Sequence, residues 1–489
     1  MTRRCRPLAL LLAAALAAAG CAVGPNYARP TALTPPAYKE LQGWKVAAPA
    51  DDTVRGAWWR TFGDSQLNAL AEQVSISNQN LAAAEAQFRQ ARALVLVARS
   101  QYFPTATVGV GYSRARQSET FTDTSGRTVG STAPRSDLIL PIDISWEPDL
   151  WGRVRRSVES NRANAQASAA DVETSRLLFQ AEVAQDYFQL RTLDGQRQLL
   201  EAAVAAFQIS LRLTQNRYAA GVASGADVAQ AETQLKTTQA QAIDVGVQRA
   251  QLEHAIAVLI GQPPAMFSLP VLPLTTTAPP IPIGVPSELL ERRPDIAATE
   301  RRVAAANAQI GVAMAAFFPT VTLSISAGFE SGGLAKWLTW PSRFWSVGPS
   351  ISQTVFDGGL RRAQSAQARA AWEGSIATYR QTVFGAFQEV EDNLAAWRIL
   401  EEEARVQDDA VKAAQRSLAL TTNQYRAGTV SYLNVVVAQT AALTNEQTAV
   451  TIAGRRLNAA VLLVKALGGG WSAAQLPSDR DVTRLGAPR

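Results

Sequence analysis

Asn216-Arg217-Tyr218-Ala219-Ala220-Gly221 returns 207 residues later as Asn423-Gln424-Tyr425-Arg426-Ala427-Gly428, and Tyr102-Phe103-Pro104-Thr105 returns 215 residues later as Phe317-Phe318-Pro319-Thr320. A chain that repeats its phrases in the same order is built from two copies of one structural unit. The change of offset falls between Phe103 and Trp151, where the first copy carries the longer Ser/Thr/Gly-rich stretch. Extra length is tolerated in exposed loops and not in packed elements, so a loop belongs there.

Upstream of each repeated tyrosine the apolar residues recur at alternating steps of four and three. From Val172 through Val183, Leu190, Leu193, Leu200 and Phe207 to Tyr218, ten of fourteen template positions are apolar, and from Tyr379 to Tyr425 eleven of fourteen are. That spacing predicts a coiled-coil seam on each of two helices, over about 153–218 and 360–425. Neither contains proline, and at about 1.5 Å per residue each rod is roughly 100 Å long. Downstream, Gly221, Ser224 and Gly225 in the first copy, and Gly428, Thr429, Val430 and Ser431 in the second, interrupt the pattern before another helix begins. Glycine suits a helix C-terminus and serine the next N-cap, so each copy predicts an antiparallel hairpin with a short tip.

Between the helical stretches the period changes to two. Ala106, Val108, Val110 and Tyr112 alternate with Thr, Gly and Ser; Leu138, Leu140, Ile142, Ile144 and Trp146 alternate with Pro141, Asp143 and Ser145; the second copy repeats the pattern over 320–329 and 345–352. A greasy face opposite a Ser/Thr/Gly face, aromatics near the segment ends and about ten residues per segment predict membrane-barrel strands, apolar side outward. Four strands cannot close a barrel, and an open sheet in lipid leaves backbone groups unpaired, so the chain must oligomerise.

Arg3, Arg4 and Arg6, the apolar run Leu8 to Ala19, and Ala18-Ala19-Gly20 before Cys21 form an export signal. Cys21 would be the only cysteine of the mature chain, without a disulfide partner, and is the expected site of lipidation. Of the formal charge of +6, those three arginines carry half; the remainder is interspersed as on solvated helix faces, and no nucleic-acid function is indicated. The single histidine, His254, has no ligand-spaced companion, and no phosphate-binding glycine loop is present. No catalytic residue, metal site or dissociable cofactor is expected; the one attached group would be the lipid on Cys21.

Five further phrases resemble the outer-membrane efflux lipoproteins of the OprM/NodT type, in the TolC superfamily. They are Gly20-Cys21-Ala22-Val23-Gly24-Pro25-Asn26-Tyr27, Trp58-Trp59-Arg60-Thr61-Phe62-Gly63-Asp64, Trp146-Glu147-Pro148-Asp149-Leu150-Trp151-Gly152-Arg153, Arg292-Arg293-Pro294-Asp295-Ile296 and Phe356-Asp357-Gly358-Gly359. The resemblance implies a membrane α+β fold with internal duplication: a homotrimer whose four strands per chain close a 12-stranded β-barrel, continued by a long α-helical coiled-coil barrel in the periplasm. It implies an outer-membrane exit duct for toxic compounds in a tripartite system, with a periplasmic adaptor at the hairpin tips and an inner-membrane resistance-nodulation-division pump supplying energy. A duct for type I protein secretion and a structural coiled-coil surface lipoprotein are the alternatives.

The divisions expected are a signal peptide 1–20, a lipidated extended segment 21–64, a first repeat 65–261, a Pro-rich linker 262–286, a second repeat 287–467 and a poorly ordered tail 468–489. Family members narrow the periplasmic mouth just after the turn, several with an Asp-x-x-Asp pattern. Here the aligned second-copy residues are Asn434 and Val437, and the first copy keeps only Asp227. The expected gate is therefore apolar: Leu433 toward the axis, with Tyr218 and Tyr425 bracing neighbouring helices.

Overall fold

The computed structural model describes residues 22–40, 56–116, 133–279 and 288–484. The signal peptide, Cys21 and the loop over 117–132 lie outside the described residues. In chain order the elements are α1 (Ser65–Ser77), α2 (Gln79–Ser100), β1 (Thr105–Val108), β2 (Gly111–Ala115), β3 (Arg135–Trp146), α3 (Arg153–Ala219), α4 (Gly225–Leu259), α5 (Leu289–Arg292), α6 (Pro294–Ala315), β4 (Thr320–Ser331), β5 (Arg343–Ser352), α7 (Leu360–Arg426), α8 (Tyr432–Ala466) and α9 (Asp479–Val482).

The duplication is exact in the helices that build the rods. α3 and α7 each run 67 residues, α4 and α8 each 35, and α2 and α6 each 22. A rod of 67 residues is about 100 Å long, and one short and one medium helix set end to end nearly match it. The junctions show how. Asn78 caps the start of α2 with its Oδ1 and donates from Nδ2 to Leu259 O at the end of α4 (2.7 Å). Gly261, just beyond α4, lies against Ser77 O, and Gly468, just beyond α8, lies against Arg292 O; a Cβ at either would fall 2.1 Å from that oxygen. Both glycines have φ near the left-handed region (71° and 92°), so a side chain there would be strained as well as blocked.

The strands form one antiparallel sheet in the order β1/β2–β3–β4–β5. The predicted first strand is interrupted at Gly109-Val110, yet β1 and β2 pair with β3 in one continuous register, from Thr105↔Ser145 to Ala115↔Arg135. The register preserves the two faces. Leu140 opposes Phe329, Ile142 Ala327, Ile144 Ile325 and Trp146 Leu323, while Asp143 opposes Ser326 and Ser145 Ser324. Among the described residues no helix covers the greasy side: Val108, Trp345, Val347 and Ile351 are 57–76% exposed. A soluble sheet would bury that face, so the observation decides against one. β1/β2 and β5 are left as free edges at either side.

The main core lies midway along the rods, where Trp58, Trp59, Phe62 and Leu67 meet Tyr187, Phe188, Tyr379, Val383, Phe387 and Leu463. The described part of the tail, 468–484, is not loose as expected. Trp471 packs against Ala170, Ala297 and Ala298, and α9 opens with a Ser478/Asp481 capping box and buries Val482 against Val95 and Ala165. The signal missed was the pair of apolar anchors, Trp471 and Val482, spaced among glycine and polar residues that by themselves read as disorder.

Candidate functional site at the hairpin tips

Each rod ends in the same backbone motif. Val222 N and Gly221 N donate to Arg217 O and Tyr218 O, and Thr429 N and Gly428 N to Gln424 O and Tyr425 O, with Gly221 and Gly428 at positive φ. These are Schellman closures, which satisfy the last carbonyls of a helix. The next helix then starts at a serine in each copy, but with different chemistry. Ser224 and Asp227 form a full capping box, with Ser224 N to Asp227 Oδ2 at 3.0 Å and Asp227 N to Ser224 Oγ at 3.2 Å. Ser431 caps with no side chain, and Asn434 reaches only its Oγ, at 3.4 Å. Asp227, the one acid kept from the family pattern, is thus committed to starting its own helix.

The two repeated tyrosines are placed differently. Tyr425 is buried and stands edge-on to Tyr432 (centroids 5.4 Å apart) in a small cluster with Ala231 and Val435. Its hydroxyl faces the buried Thr214 Oγ1 at 3.4 Å. Tyr218 is 55% exposed, with its ring beside Gly225 of the tip, where a Cβ would lie 3.8 Å from Cε2. Leu433 and Val437 are 52% and 61% exposed, one helical turn apart, with Asn434 beside them. Burial, then the nearby Tyr425 and Asp227, push the Tyr432 hydroxyl up to about 12, so it is a neutral phenol at physiological pH.

The residue that joins the tips is Arg217, which the sequence reading passed over. Its guanidinium lies 4.8 Å from the Tyr425 ring centroid, and Nη1 donates to Tyr425 O (3.1 Å) and Arg426 O (3.3 Å). A cation here sits against the negative ends of both long helices, where it is favoured. The available signal was one of the two mismatches inside the repeated phrase, Arg217 against Gln424, the other being Ala219 against Arg426. Other side-chain bonds between the hairpins are neutral: Gln196 to Thr451, Gln234 to Thr440 and Gln439 to Ser210.

Nearer the core, the first hairpin is pinned by charge. Asp194, fully buried, takes Arg191 Nη1 at 2.9 Å and Arg249 Nε at 2.7 Å, so α3 and α4 share one carboxylate. The same cations donate to Pro270 O and Leu269 O, while Asp194 accepts from Leu272 N and Glu253 from Leu269 N. The described part of the linker, 262–279, is thereby tied to the hairpin.

At the other end of the rods, the residues after Cys21 are strapped to the base of the sheet. Val23 N donates to Trp151 O, and the buried Arg156 holds Val23 O, Gly24 O and Asn26 Oδ1. Gly24, at φ 103°, crosses Gly311 so closely that a Cβ would lie 2.5 Å from Gly311 Cα. Trp151 stacks on Phe318 (4.9 Å) and donates to Pro319 O, and with Phe103, Trp146 and Phe317 it makes an aromatic belt where strands become helices. Such belts mark bilayer interfaces.

Comparison with known proteins converges on one architecture. Residues 70–262 and 285–469 match the model of the outer membrane efflux protein family. The outer membrane protein OprJ of Pseudomonas aeruginosa is 31% identical over 470 residues, covering 95% of this chain and 95% of that protein. The toluene efflux pump outer membrane protein TtgC of Pseudomonas putida is 30% identical over 460 residues, covering 92% and 93%. Among solved structures, the outer-membrane channel OprN is 32% identical, with a TM-score of 0.84 over 92% of this chain and all of that one.

Proposed function

The chain belongs to the outer membrane efflux protein family, and we propose that it is the exit duct of a tripartite efflux system for small toxic compounds, gated at its hairpin tips. As a channel of the outer membrane with a long helical extension, it moves cargo along a wall and needs no catalytic group. The observation that carries the duct reading is the sheet, with β1 and β2 in line as one broken strand beside β3, β4 and β5, greasy on one face, polar on the other and free at both edges, set at one end of the 100-Å-scale rods. Three copies would pair β5 of one protomer with β1/β2 of the next and leave no edge in lipid.

The exposed faces of Leu433 and Val437 support an apolar constriction, since three copies of such residues at a narrow mouth exclude ions by dewetting. Arg217 would hold that constriction shut by bonding the second hairpin to the first. The tips over 221–225 and 428–431 are exposed backbone and small side chains suited to an adaptor. An acyl group on Cys21 would begin next to the aromatic belt, because Ala22 abuts Gly152 there. The relatives' names support efflux: one concerns toluene, and another, from Pseudomonas aeruginosa, pyoverdine export.

Single-channel recording in planar bilayers tests the gate. Leu433→Ser should raise conductance well above wild type and more than Asn434→Ala does, and a Leu433→Ser channel as closed as wild type would place the gate elsewhere. Ser431→Arg should abolish efflux while the trimer still inserts. Cys21→Ser should lose radioactive palmitate label; equal labelling would refute lipidation at that residue.

A further inference from the structure

In the sheet the acids keep to one face, while two of the arginines at the end farthest from the helices lie on the other. The acids within the described strands, Asp137, Asp143 and Glu330, all lie on the polar side, in register with Ser113, Ser326 and Ile139. Arg343 instead opposes Phe329, and Arg114 opposes Ser136 two residues beyond Tyr112, so both arginines stand on the greasy side at its outer rim. Neither forms an ion pair among the described residues.

The connection between β4 and β5 adds apolar surface beside them. Leu334, Leu338 and Trp340 are 63–76% exposed, Lys336 between them in sequence is exposed too, and Arg343 lies over the Trp340 ring while donating from Nε to Trp340 O at 2.9 Å. On the greasy face Trp345, itself 76% exposed, is followed by Arg343 and then by this connection. Cations standing at the boundary of an apolar band, flanked by aromatic rings, are placed where a lipid phosphate would lie.

We propose that this rim is a binding site for a phosphorylated lipid of the outer leaflet, its phosphates on Arg343 and Arg114 and its acyl chains along Trp340, Trp345 and Val347. The inference rests on the barrel proposed above. Closing it brings β5 of one protomer beside β1/β2 of the next, so each site takes Arg343 from one chain and Arg114 from its neighbour and straddles the subunit seam. Bound lipid would then fasten the seam as well as the surface.

The test uses the full-length trimer in phosphatidylcholine nanodiscs, titrated with bis-phosphorylated lipid A or with the same lipid stripped of its phosphates, bound lipid being counted by native mass spectrometry. Wild type should prefer the phosphorylated form. Arg114→Gln with Arg343→Gln should weaken that form about tenfold or more and leave the stripped form unchanged. Arg114→Lys with Arg343→Lys should bind as wild type. Arg135→Gln, at the same rim on the polar side, should change nothing. Equal binding of the two lipids, no loss in the double glutamine variant, or an equal loss in Arg135→Gln or the lysine pair would overturn the site. A wild-type mass other than a trimer would instead overturn the barrel.

Discussion

The two hairpins share lengths, seam and tip geometry, yet only the first is braced by a buried carboxylate; the second has the exposed pair Arg455–Glu403 at 3.6 Å. Arg191, Asp194, Arg249 and Glu253 correspond in the second copy to Arg398, Glu401, Arg456 and Ala460. There the carboxylate is lost at one position and the others disperse: Arg398 turns to Glu40 of the N-terminal segment, and Glu401 pairs with Arg405 on the surface. α3 also buries several faces, against α2, α4, α6 and α8, whereas α7 buries essentially one line, from Tyr379 to Leu400 and then Tyr425. One hairpin is built as a fixed arm. The other hangs on it by neutral bonds and Arg217, which is the arrangement a gate requires, since opening must break few and weak contacts.

The largest expected effect exploits the brace. Asp194→Ala leaves two buried guanidinium groups without their carboxylate and should destabilise by about 3–5 kcal/mol. Its counterpart Glu401→Ala removes an exposed pair and should cost about 0.5 kcal/mol or less. Urea unfolding in detergent compares them, and equal losses would erase the distinction between the arms. Next, Arg217→Gln installs the second copy's residue at the tip. Losing two charge-assisted bonds worth about 1.5–3 kcal/mol each at most should shift the closed-to-open balance at least tenfold, read as open probability in planar bilayers. Gln424→Ala should leave it unchanged.

A smaller, pH-dependent contrast lies at Asp186, whose counterpart is Asn393. Burial, then the charge of Glu182, raises the Asp186 carboxyl to about 6. With the folded value above the unfolded one, the folded chain holds the proton more tightly, and stability falls as pH rises through roughly 4 to 6. Asp186→Asn should therefore stabilise at pH 8 by about 1.5 kcal/mol, after allowance for solvent screening, and by almost nothing at pH 4. A gain that did not change with pH would refute the assignment. The smallest difference is at the caps: Ser224→Ala should cost about 1 kcal/mol and Ser431→Ala only a few tenths, because only Ser224 accepts from a backbone N–H of its helix. Thermal unfolding of both variants measures it.

Much of the molecule follows from short-range pattern. The seam through Val183, Val390 and Trp397, the period-two faces and the Gly-to-Ser tips depend on residues within a few positions of one another, and helix pitch and strand pleat convert such spacing directly into faces. Chain return decided the rest. Tyr218 and Tyr425 occupy the same place in the repeated phrase, but only Tyr425 meets Arg217, Thr214 and Tyr432 from elsewhere in the chain. Asp194 became a brace because Arg249 returns to it 55 residues later along the antiparallel helix. The tail is ordered because Ala170 and Ala297 are present to receive Trp471. Periodicity fixes which side of an element is greasy, whereas burial and ion pairing depend on what arrives from a distance, and two nearly identical helices acquire different roles when different neighbours pack on them.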